Sequence, residues 1–396
     1  MKKTISFLLT PVLVLSLCSC SSNNNDAMQD CIVSNTTTYY EDGMFYEAKN
    51  SEDENVLCYY SKDSDKSAVM CGLPQCTHIS KTSPDCTALC GDVSRYGYNR
   101  IGDKLYFIEI DILNNGEGSK RSMDLVECDI DGKNRRVIAY IENANTAFIS
   151  NIQYTEDSVI VAYRLQYVFE TNEDTGEIEF VKLDKNRVYI QRIGLSDGNI
   201  DTLLYREEYD AYVSGILCDN ILCFNYSYYN EPSTGELETP ETHRRSQGGF
   251  YIQDISTGEE KFCEGKNALG ITLGHFSPNK FIALDRERNK LCLFDGDKGE
   301  FADIADCDMI SYTEDEKDAL FTLSKEDEYF TRYNFESGEL SQIPRPKGKE
   351  LYLNMTHIVG NTVWVELGDS KGYISRDDFF DGKFENIKVI EEAELQ

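Results

Sequence analysis

This chain has little tryptophan, proline or histidine. Its 396 residues include 1 Trp, 8 Pro and 4 His. The histidines form no H-E-x-x-H or H-x-H pair, and isolated residues such as His243, His275 and His357 are typical of structural histidines in a strand protein. A Gly-x-Ser-x-Gly elbow, a P-loop and a dinucleotide-binding glycine fingerprint are also missing. The sequence therefore lacks the signatures of the common hydrolases, nucleotide hydrolases and dehydrogenases.

Positive charge is also in short supply. The chain has 39 Lys and Arg against 70 Asp and Glu, which gives a formal net charge of −31 at pH 7. A surface of this sign repels nucleic acid and anionic lipid headgroups. The composition therefore excludes nucleic acid as a partner and favours solubility and cationic partners.

After residue 20 the chain has no sustained apolar pattern with a 3.6-residue period, so we expect little helix. It has instead short segments of alternating apolar and polar residues, rich in Tyr, Phe, Val and Ile and bounded by turn residues. Glycines such as Gly132 and Gly258 supply the positive φ that tight hairpin turns require. These features predict an all-β chain.

A two-part unit recurs seven times between residue 38 and the C-terminus. A turn dipeptide and an alternating strand come first, and a hairpin of strand, polar turn and strand follows. The seven turn dipeptides are marked by Asp42, Asp103, Asp157, Asn220, Asn279, Glu316 and Asn361. Repeats of roughly 40–50 residues with about four strands each are typical of propeller blades, which stack because one twisted sheet cannot bury both of its faces.

The repeat predicts a β-propeller of four-stranded antiparallel blades over residues 38–396. Seven units indicate seven blades, while six or eight remain open because a unit split between the two chain ends changes the count. A large β-sandwich, or two in tandem, is the alternative that strand spacing alone allows.

The N-terminus has the features of an export signal. Two lysines precede an apolar run, residues 5–17, that is too short and too early for a mature transmembrane helix. The run ends at Leu17-Cys18-Ser19-Cys20, which resembles a bacterial lipobox. We therefore expect cleavage of residues 1–19 and diacylglycerol attachment to Cys20, which anchors the chain to the bacterial cell membrane on its extracytoplasmic face. An ordinary signal peptide with incidental cysteines is the alternative.

Residues 20–37 are expected to form a flexible polar tether between the lipid anchor and the propeller. Cleavage removes two lysines and no acidic residue, so the charge of −31 becomes −33 in the mature chain.

The strongest local motif lies in a cysteine-rich connection, residues 71–97. It contains Cys71, Cys76, His78, Cys86 and Cys90. The first four match a structural Cys3His zinc site, although C-x4-C-x-H is not a standard zinc-finger spacing. Two disulfides, which are common in exported segments, and unligated thiols are the alternatives. A closed four-ligand site leaves no open coordination position, so we expect a structural role in each case.

Seven other cysteines are scattered over different units, mostly within predicted strands, where cysteine behaves as a small buried hydrophobe. They are Cys58, Cys128, Cys218, Cys223, Cys263, Cys292 and Cys307. So many separate thiols lead to the hypothesis that the organism is anaerobic. A thiol titration that found nearly all of them oxidised in protein purified without oxygen would contradict it.

The cysteine-rich connection carries a family resemblance. Cys71-Gly-Leu-Pro74-Gln-Cys76-Thr-His78, followed by Cys86-Thr-Ala88, resembles the pattern Cys-x-x-Pro-x-Cys-x-His and Cys-x-Ala of a group of lipoproteins from anaerobic Firmicutes. Cys90 has no counterpart in that pattern. The later units resemble TolB-like and DUF5050-like β-propellers in their strand–turn–strand design. The resemblance implies a propeller fold and a membrane-anchored location, and it implies no particular activity.

Two insertions are candidates for binding. Residues 165–187 and 227–247 lengthen the third and fourth units at equivalent positions, and such insertions map to one face of a repeat protein. Tyr226, Tyr228 and Tyr229 lie at the second insertion and can stack on a sugar or pack against a peptide. Solvated hairpins without a ligand are the alternative.

We therefore expect a membrane-tethered extracytoplasmic propeller that binds a protein, peptide or glycan and is not an enzyme. One alternative is a carbohydrate-active enzyme that uses carboxylates in the central channel. The other is a scaffold for envelope assembly. No catalytic residue can be assigned, because with 70 acidic residues any pair chosen from the sequence is arbitrary.

Overall fold

The computed structural model of the chain consists almost entirely of antiparallel strands. It describes residues 31–34, 37–83, 85–90, 97–114, 119–141, 147–171, 178–218, 220–232, 247–263, 266–268, 280–285, 288–295, 300–306, 311–314, 317–322, 328–346, 351, 356–367 and 370–391. The export signal, Cys20 and residues 20–30 of the predicted tether lie outside these residues. Within them, no helix combines the length and the apolar character needed to cross a bilayer.

The chain divides into two compact units. The first unit comprises residues 1–111, 124–140 and 388–396. Its strands, some of whose ends extend beyond these bounds, are β1 (Cys31–Ser34), β2 (Thr37–Tyr40), β3 (Gly43–Lys49), β4 (Asn55–Ser61), β5 (Lys66–Val69), β6 (Leu89–Cys90), β7 (Asn99–Ile101), β8 (Lys104–Asn114), β9 (Ser119–Asp129), β10 (Arg136–Ile141) and β29 (Lys388–Val389). Strand β1 lies within residues 20–37, which the sequence assigned to the tether.

The first unit contains two sheets. One pairs β1 to β5 in sequence order with β6 added to β4, and the other has the order β10-β9-β8-β7. Strand β4 is buried on both faces, because Leu57 packs into an aromatic core with Tyr40, Phe45 and Phe107 while Val56 packs on the opposite side with the cysteine-rich connection. This double burial explains why its sequence is almost continuously apolar.

The second unit comprises residues 112–123 and 141–387. Its strands are β11 (Ala147–Tyr154), β12 (Ser158–Thr171), β13 (Ile178–Gly194), β14 (Ile200–Cys218), β15 (Ile221–Tyr229), β16 (Gln247–Asp254), β17 (Glu260–Cys263), β18 (Lys266–Ala268), β19 (Lys280–Asp285), β20 (Lys290–Asp295), β21 (Glu300–Asp306), β22 (Ser311–Glu314), β23 (Asp318–Thr322), β24 (Tyr329–Asn334), β25 (Leu340–Pro344), β26 (Thr356–Val359), β27 (Thr362–Leu367) and β28 (Ser370–Ser375).

Helix is scarce in the part of the chain that the structure describes, as the missing 3.6-residue period predicts. The described residues of the second unit form one short helix, α1 (Arg376–Phe380), and one 3-10 turn (Phe384–Asn386). Ser375 caps α1 by accepting a hydrogen bond from the backbone N–H of Asp378 at 3.2 Å.

Strand β14 belongs to two groups of strands. Residues 200–208 pair with β13, and residues 209–218 pair with β15 after an irregularity between Tyr209 and Tyr212. The seven-stranded sheet β11 to β17 is therefore two four-stranded groups that share β14. Strands β18 to β21 and β22 to β25 form further four-stranded sheets, and β26, β27 and β28 pair in that order. These groups follow the sequence units and confirm the predicted all-β fold of small antiparallel sheets.

Apolar side chains that alternate along these strands build the cores of the second unit. One core lies along β12 to β15 and includes Ile160, Val188, Leu222 and Phe224. Another packs β23 to β28 against α1, with Phe330 and Phe379 at 0–1 % exposure. Since these strands carry cores on a fixed face, their register is set by burial.

Candidate functional site

The metal loop, residues 71–88, brings together four of the five residues in the predicted cysteine cluster. The ligand atoms of Cys71, Cys76, His78 and Cys86 all lie within 4.8 Å of one another. The Cys86 sulfur is 3.8 Å from the Cys71 sulfur and 3.4 Å from His78 Nδ1. Cys90 lies in β6, and its side chain is outside the described part of the chain.

No disulfide joins Cys71, Cys76 and Cys86. The 3.8 Å between Cys71 and Cys86 far exceeds the roughly 2.05 Å of a disulfide bond. Three sulfur donors and one imidazole nitrogen at this spacing can bind a metal ion.

The turn between β3 and β4 fixes one side of the metal loop. Asn50, which is 7 % exposed, donates a hydrogen bond from Nδ2 to the backbone oxygen of His78 at 2.5 Å. Glu54 accepts hydrogen bonds from both the backbone N–H and the hydroxyl of Ser80. The sequence did not point to Asn50 or Glu54. Asn50 follows a strand and so predicts only a turn, and nothing in the sequence indicates that it bonds to a residue 28 positions away.

Backbone conformation shapes the loop between the ligands. Gln75 and His78 have φ values of 60° and 56°, in the left-handed region that side-chain-bearing residues seldom adopt. The backbone N–H of His78 donates to the Cys76 sulfur at 3.4 Å. The chain therefore turns at Pro74 and Gln75, between the first and second candidate ligands, and the His78 N–H links the third ligand to the second.

The turn between β9 and β10 fixes the other side of the metal loop. Thr87 donates its hydroxyl to the backbone oxygen of Asp131 at 3.1 Å. Gly72 lies so close to Lys133 that a Cβ atom there would overlap its side chain. Gly132 has a φ of 78° and a similarly close approach to Thr87. Gly132 is therefore needed for this packing, whereas at Gly72 the flexible end of the Lys133 side chain can move aside.

Hydrogen bonding shifts the pKa values of Cys71 and Cys86 in opposite directions. The bond from Cys86 lowers the pKa of Cys71 well below the ordinary value of a thiol, with a smaller contribution from His78. The same pairing raises the pKa of Cys86. Cys71 is therefore the thiol of the pair that most readily becomes a thiolate, the form that ligates metals.

The bases of the two insertions are adjacent in the second unit. Asn186, at the end of the first insertion, pairs with Glu208 of β14, and Tyr229, in the second insertion, pairs with Tyr209. Because Glu208 and Tyr209 are consecutive, the bases of the insertions are adjacent. We call these bases, with residues 208–212, the insertion face.

The insertion face carries charge and aromatic rings together. Lys185 Nζ forms an ion pair with Glu208 at 3.1 Å and lies 5.1 Å from the centre of the Tyr209 ring. Asn186 Nδ2 donates to the backbone oxygen of Ala211 at 3.3 Å. Residues 172–177 and 233–246 of the insertions lie outside the described residues.

The three predicted tyrosines have different environments. Tyr226 is 5 % exposed and packs in the core of β12 to β15, so it is not the exposed platform that the sequence predicted. Its ring stacks on that of Tyr228 at 5.2 Å between ring centres. Tyr228 and Tyr229 are half-buried and leave part of their rings accessible at the insertion face.

Several other predicted residues are structural. The cysteines in strands of different groups, Cys58, Cys128, Cys223 and Cys292, are buried. Burial raises the pKa of Cys128 to about 12 and lowers the pKa of His357 to about 4, so both are neutral at pH 7. The side chains of Cys218 and Cys263 and all of His243, His275 and Cys307 lie outside the described part.

Solved structures similar to this chain are β-propeller domains or proteins that contain one. A puromycin-hydrolysing peptidase of Mycobacterium tuberculosis matches with a TM-score of 0.55 and 10 % identity over 93 % of this chain and 54 % of the peptidase. The β-propeller domain of the trilobed protease from Pyrococcus furiosus matches with a TM-score of 0.47 and 13 % identity over 92 % of this chain and 97 % of that domain. TolB from Acinetobacter baumannii matches with a TM-score of 0.37 and 13 % identity over 89 % of this chain and 77 % of TolB.

No family model matches the sequence, and no curated protein matches it. The chain spans about half the length of the M. tuberculosis peptidase. At these identities the likenesses concern the fold alone. Together with the small antiparallel sheets, they identify the chain as a β-propeller.

Proposed function

We propose that the chain is a lipid-anchored, extracytoplasmic β-propeller that binds a protein, peptide or glycan at the insertion face and is not an enzyme. The observation that carries this proposal is that the bases of both insertions pair with consecutive residues of β14, Glu208 and Tyr209. Loops held on a rigid strand scaffold are the usual location of binding residues. The half-buried Tyr228 and Tyr229 provide aromatic surface there, next to the Lys185–Glu208 ion pair.

A combined glycan and peptide array, probed with the full chain in mild detergent, tests this binding function. We expect a defined set of binders whose affinity falls at least about tenfold in Tyr228→Ala and Tyr229→Ala variants. Tyr329→Ala is the matched control, because Tyr329 is a 41 %-exposed strand tyrosine of another sheet. An array without binders, or equal losses in all three variants, would contradict the proposal.

The membrane anchor is proposed from the lipobox alone. Mass spectrometry of the mature N-terminal peptide should find diacylglycerol on Cys20 and no residue before it. Cys20→Ala should leave the chain unlipidated. An unmodified Cys20 in membrane-associated protein would overturn the anchor without affecting the binding proposal.

We further propose that Cys71, Cys76, His78 and Cys86 hold a structural zinc ion. A tetrahedron with Zn–S distances of about 2.3 Å has sulfur–sulfur edges of about 3.8 Å, and Cys71 and Cys86 are 3.8 Å apart. Four protein ligands would fill the coordination sphere, so the ion would stabilise the loop without activating a water molecule. Lys133, which is ion-paired with Asp131 and close to Gly72, would offset the negative charge of a three-thiolate site.

Metal analysis of the full chain should find one zinc ion per molecule. Cobalt substitution should give the absorption bands of a tetrahedral thiolate site, and Cys76→Ser and His78→Ala should alter or abolish them. Cys128→Ser, a buried cysteine of the same unit, should leave them unchanged. A metal-free protein with disulfides among Cys71, Cys76 and Cys86 would contradict the zinc site.

A further inference from the structure

Among the residues that the structure describes, two arginines have no acidic partner. Among the arginines whose side chains the structure describes, these form ion pairs: Arg100, Arg135, Arg136, Arg187, Arg192, Arg206, Arg288, Arg332 and Arg376. Arg164 and Arg345 form none with any described residue, and their Nε atoms are buried without a hydrogen-bond partner. With 70 acidic residues in the chain, a shortage of carboxylates does not explain this.

Arg164 occupies the base of the first insertion. It lies on β12 immediately before residue 165 and pairs with Phe148 of β11 and Val188 of β13. Its guanidinium group lies 5.0 Å from the centre of the Phe148 ring, and Phe148 is 53 % exposed. The chain therefore presents a cation on an accessible aromatic surface at the edge of the insertion face.

Arg345 has the same local chemistry in a different setting. Its guanidinium lies 5.2 Å from the centre of the Phe330 ring, but Phe330 is 1 % exposed and belongs to a core. Because that ring is covered, a ligand cannot pack on it. Arg345 therefore has a structural role, whereas Arg164 has an accessible aromatic surface beside it.

We propose that Arg164 and Phe148 form a subsite for a carboxylate group of the ligand bound at the insertion face, an inference that rests on the proposed binding function. A guanidinium offers a planar fork of donors that matches a carboxylate. The Nε donor is buried, so a carboxylate would bind to the Nη groups of Arg164, whose charge no described carboxylate neutralises. Phe148 would pack against the apolar part of the ligand next to that group.

The net charge of the chain limits the number of negative charges that a ligand can carry. A net charge of −31 repels polyanions. The subsite is therefore suited to a ligand with a single carboxylate near the contact, either the C-terminus of a peptide or one uronic acid residue of a glycan.

Acetate is the smallest probe of this subsite. Arginine Nε–H resonances of the full chain in mild detergent would be followed during titration with acetate and with acetamide, its neutral isostere, at constant ionic strength. Arg164→Gln and Arg345→Gln assign the two resonances. We expect acetate to shift the Arg164 resonance saturably with a millimolar Kd, while acetamide leaves it unchanged. No acetate shift at Arg164, or an equal shift at Arg345, would overturn the proposal.

Larger probes distinguish the two sources of carboxylate. An N-acetylated tetrapeptide acid would be compared with its C-terminal amide, and methyl glucuronide with methyl glucoside. The preferred acid should bind at least about tenfold more tightly than its neutral counterpart. Arg164→Gln should remove that preference, and Arg164→Lys should restore part of it. If Tyr228→Ala abolishes array binding while Arg164→Gln leaves it intact, the binding function stands and the carboxylate subsite fails.

Discussion

The metal loop of the first unit and strands β12 to β15 of the second are held in place by different forces. The loop has almost no regular structure, and its apolar contact is a small cluster around Val56, Cys86 and Ala88. Four candidate ligand atoms converge in it, and hydrogen bonds connect it to two neighbouring turns. Strands β12 to β15 share a continuous apolar core that includes Ile160, Val188 and Leu222. With the proposed zinc ion bound, converging ligands would replace an apolar core where the loop has too few apolar residues to build one.

Removing one ligand should produce the largest effect in this comparison. Cys86→Ala takes away the residue that lies close to both Cys71 and His78. At a zinc concentration about 1,000 times Kd, loss of binding lowers the free energy of opening of the loop by about 4 kcal/mol. Hydrogen exchange of peptides from residues 71–88, with and without chelator, measures the change.

Cys128→Ala is the matched control for that experiment, because Cys128 is a buried cysteine of β9 in the same unit. It should cost about 1 kcal/mol by loss of packing and keep the response to chelator. Equal destabilisation by the two variants would mean that the loop is held by packing rather than by a metal.

A core substitution should show the opposite dependence. Leu222→Ala removes a side chain with 0 % exposure from the β12 to β15 core and should cost about 3 kcal/mol. The loss should be the same with and without chelator, as measured by hydrogen exchange of peptides from β12 to β15. Leu340→Ala, at a 48 %-exposed position, should change stability by less than about 0.5 kcal/mol. If the effect of Leu222→Ala depends on chelator, the β12 to β15 core is not stabilised independently of the metal, and the proposed difference between the two regions is wrong.

The two regions also differed in how far the sequence predicted them. Strands were predictable because alternation and turn residues act locally. The shared strand β14 was not predicted, since the repeat units leave residues 205–218 unassigned between the third and the fourth unit. The metal cluster was predictable as a set of residues, since Cys71, Cys76, His78 and Cys86 lie within 16 positions of the chain. Its ligation state was not, because sulfur–sulfur distances depend on how the loop folds.

Long-range contacts could not be predicted from the sequence for a different reason. Asn50 reaches His78 across 28 positions, and Tyr226 points into a core although its neighbours Tyr228 and Tyr229 keep part of their surface exposed. The face on which a residue lies in a strand depends on the register and on what packs against it. The contact between Arg164 and Phe148 likewise becomes visible only when β11 and β12 are paired.

The pH response of the second unit provides a third test of the comparison. His357 is 8 % exposed in β26, and its burial lowers its pKa from 6.5 to about 4. Below pH 6.5 the unfolded chain gains a proton that the folded chain does not accept until about pH 4. Stability is therefore lost as the pH falls from 6.5 to 4, by roughly 3 kcal/mol in total.

Hydrogen exchange of peptides from β26 to β28 between pH 7 and pH 4, corrected for the intrinsic exchange rate, checks this expectation. His357→Gln should lose the pH dependence in that range. A wild-type profile that stays flat from pH 6.5 to 4 would show that His357 becomes protonated without unfolding the sheet.

Glu47 should give the first unit a smaller response of opposite sign. It lies on β3 and accepts a hydrogen bond from the hydroxyl of Tyr98 at 3.1 Å. Burial nevertheless raises its pKa from 4.5 to about 7, against the smaller effects of Tyr98 and Lys49. Between pH 4.5 and 7 the folded chain holds more protons than the unfolded chain, so stability falls as the pH rises through this range.

Because Glu47 is partly accessible, solvent screening reduces the expected loss to roughly 1–2 kcal/mol. Glu47→Gln should therefore be more stable than the wild type at pH 8 and equal to it at pH 4, as measured by hydrogen exchange of peptides from β3 and β4. Asp53→Asn, at an exposed carboxylate of the turn between β3 and β4, is the control and should leave the pH profile unchanged. If Glu47→Gln destabilises the sheet equally at both pH values, the carboxyl group acts only as the hydrogen-bond acceptor of Tyr98. In that case the opposite pH responses of the two units would not arise from these two side chains.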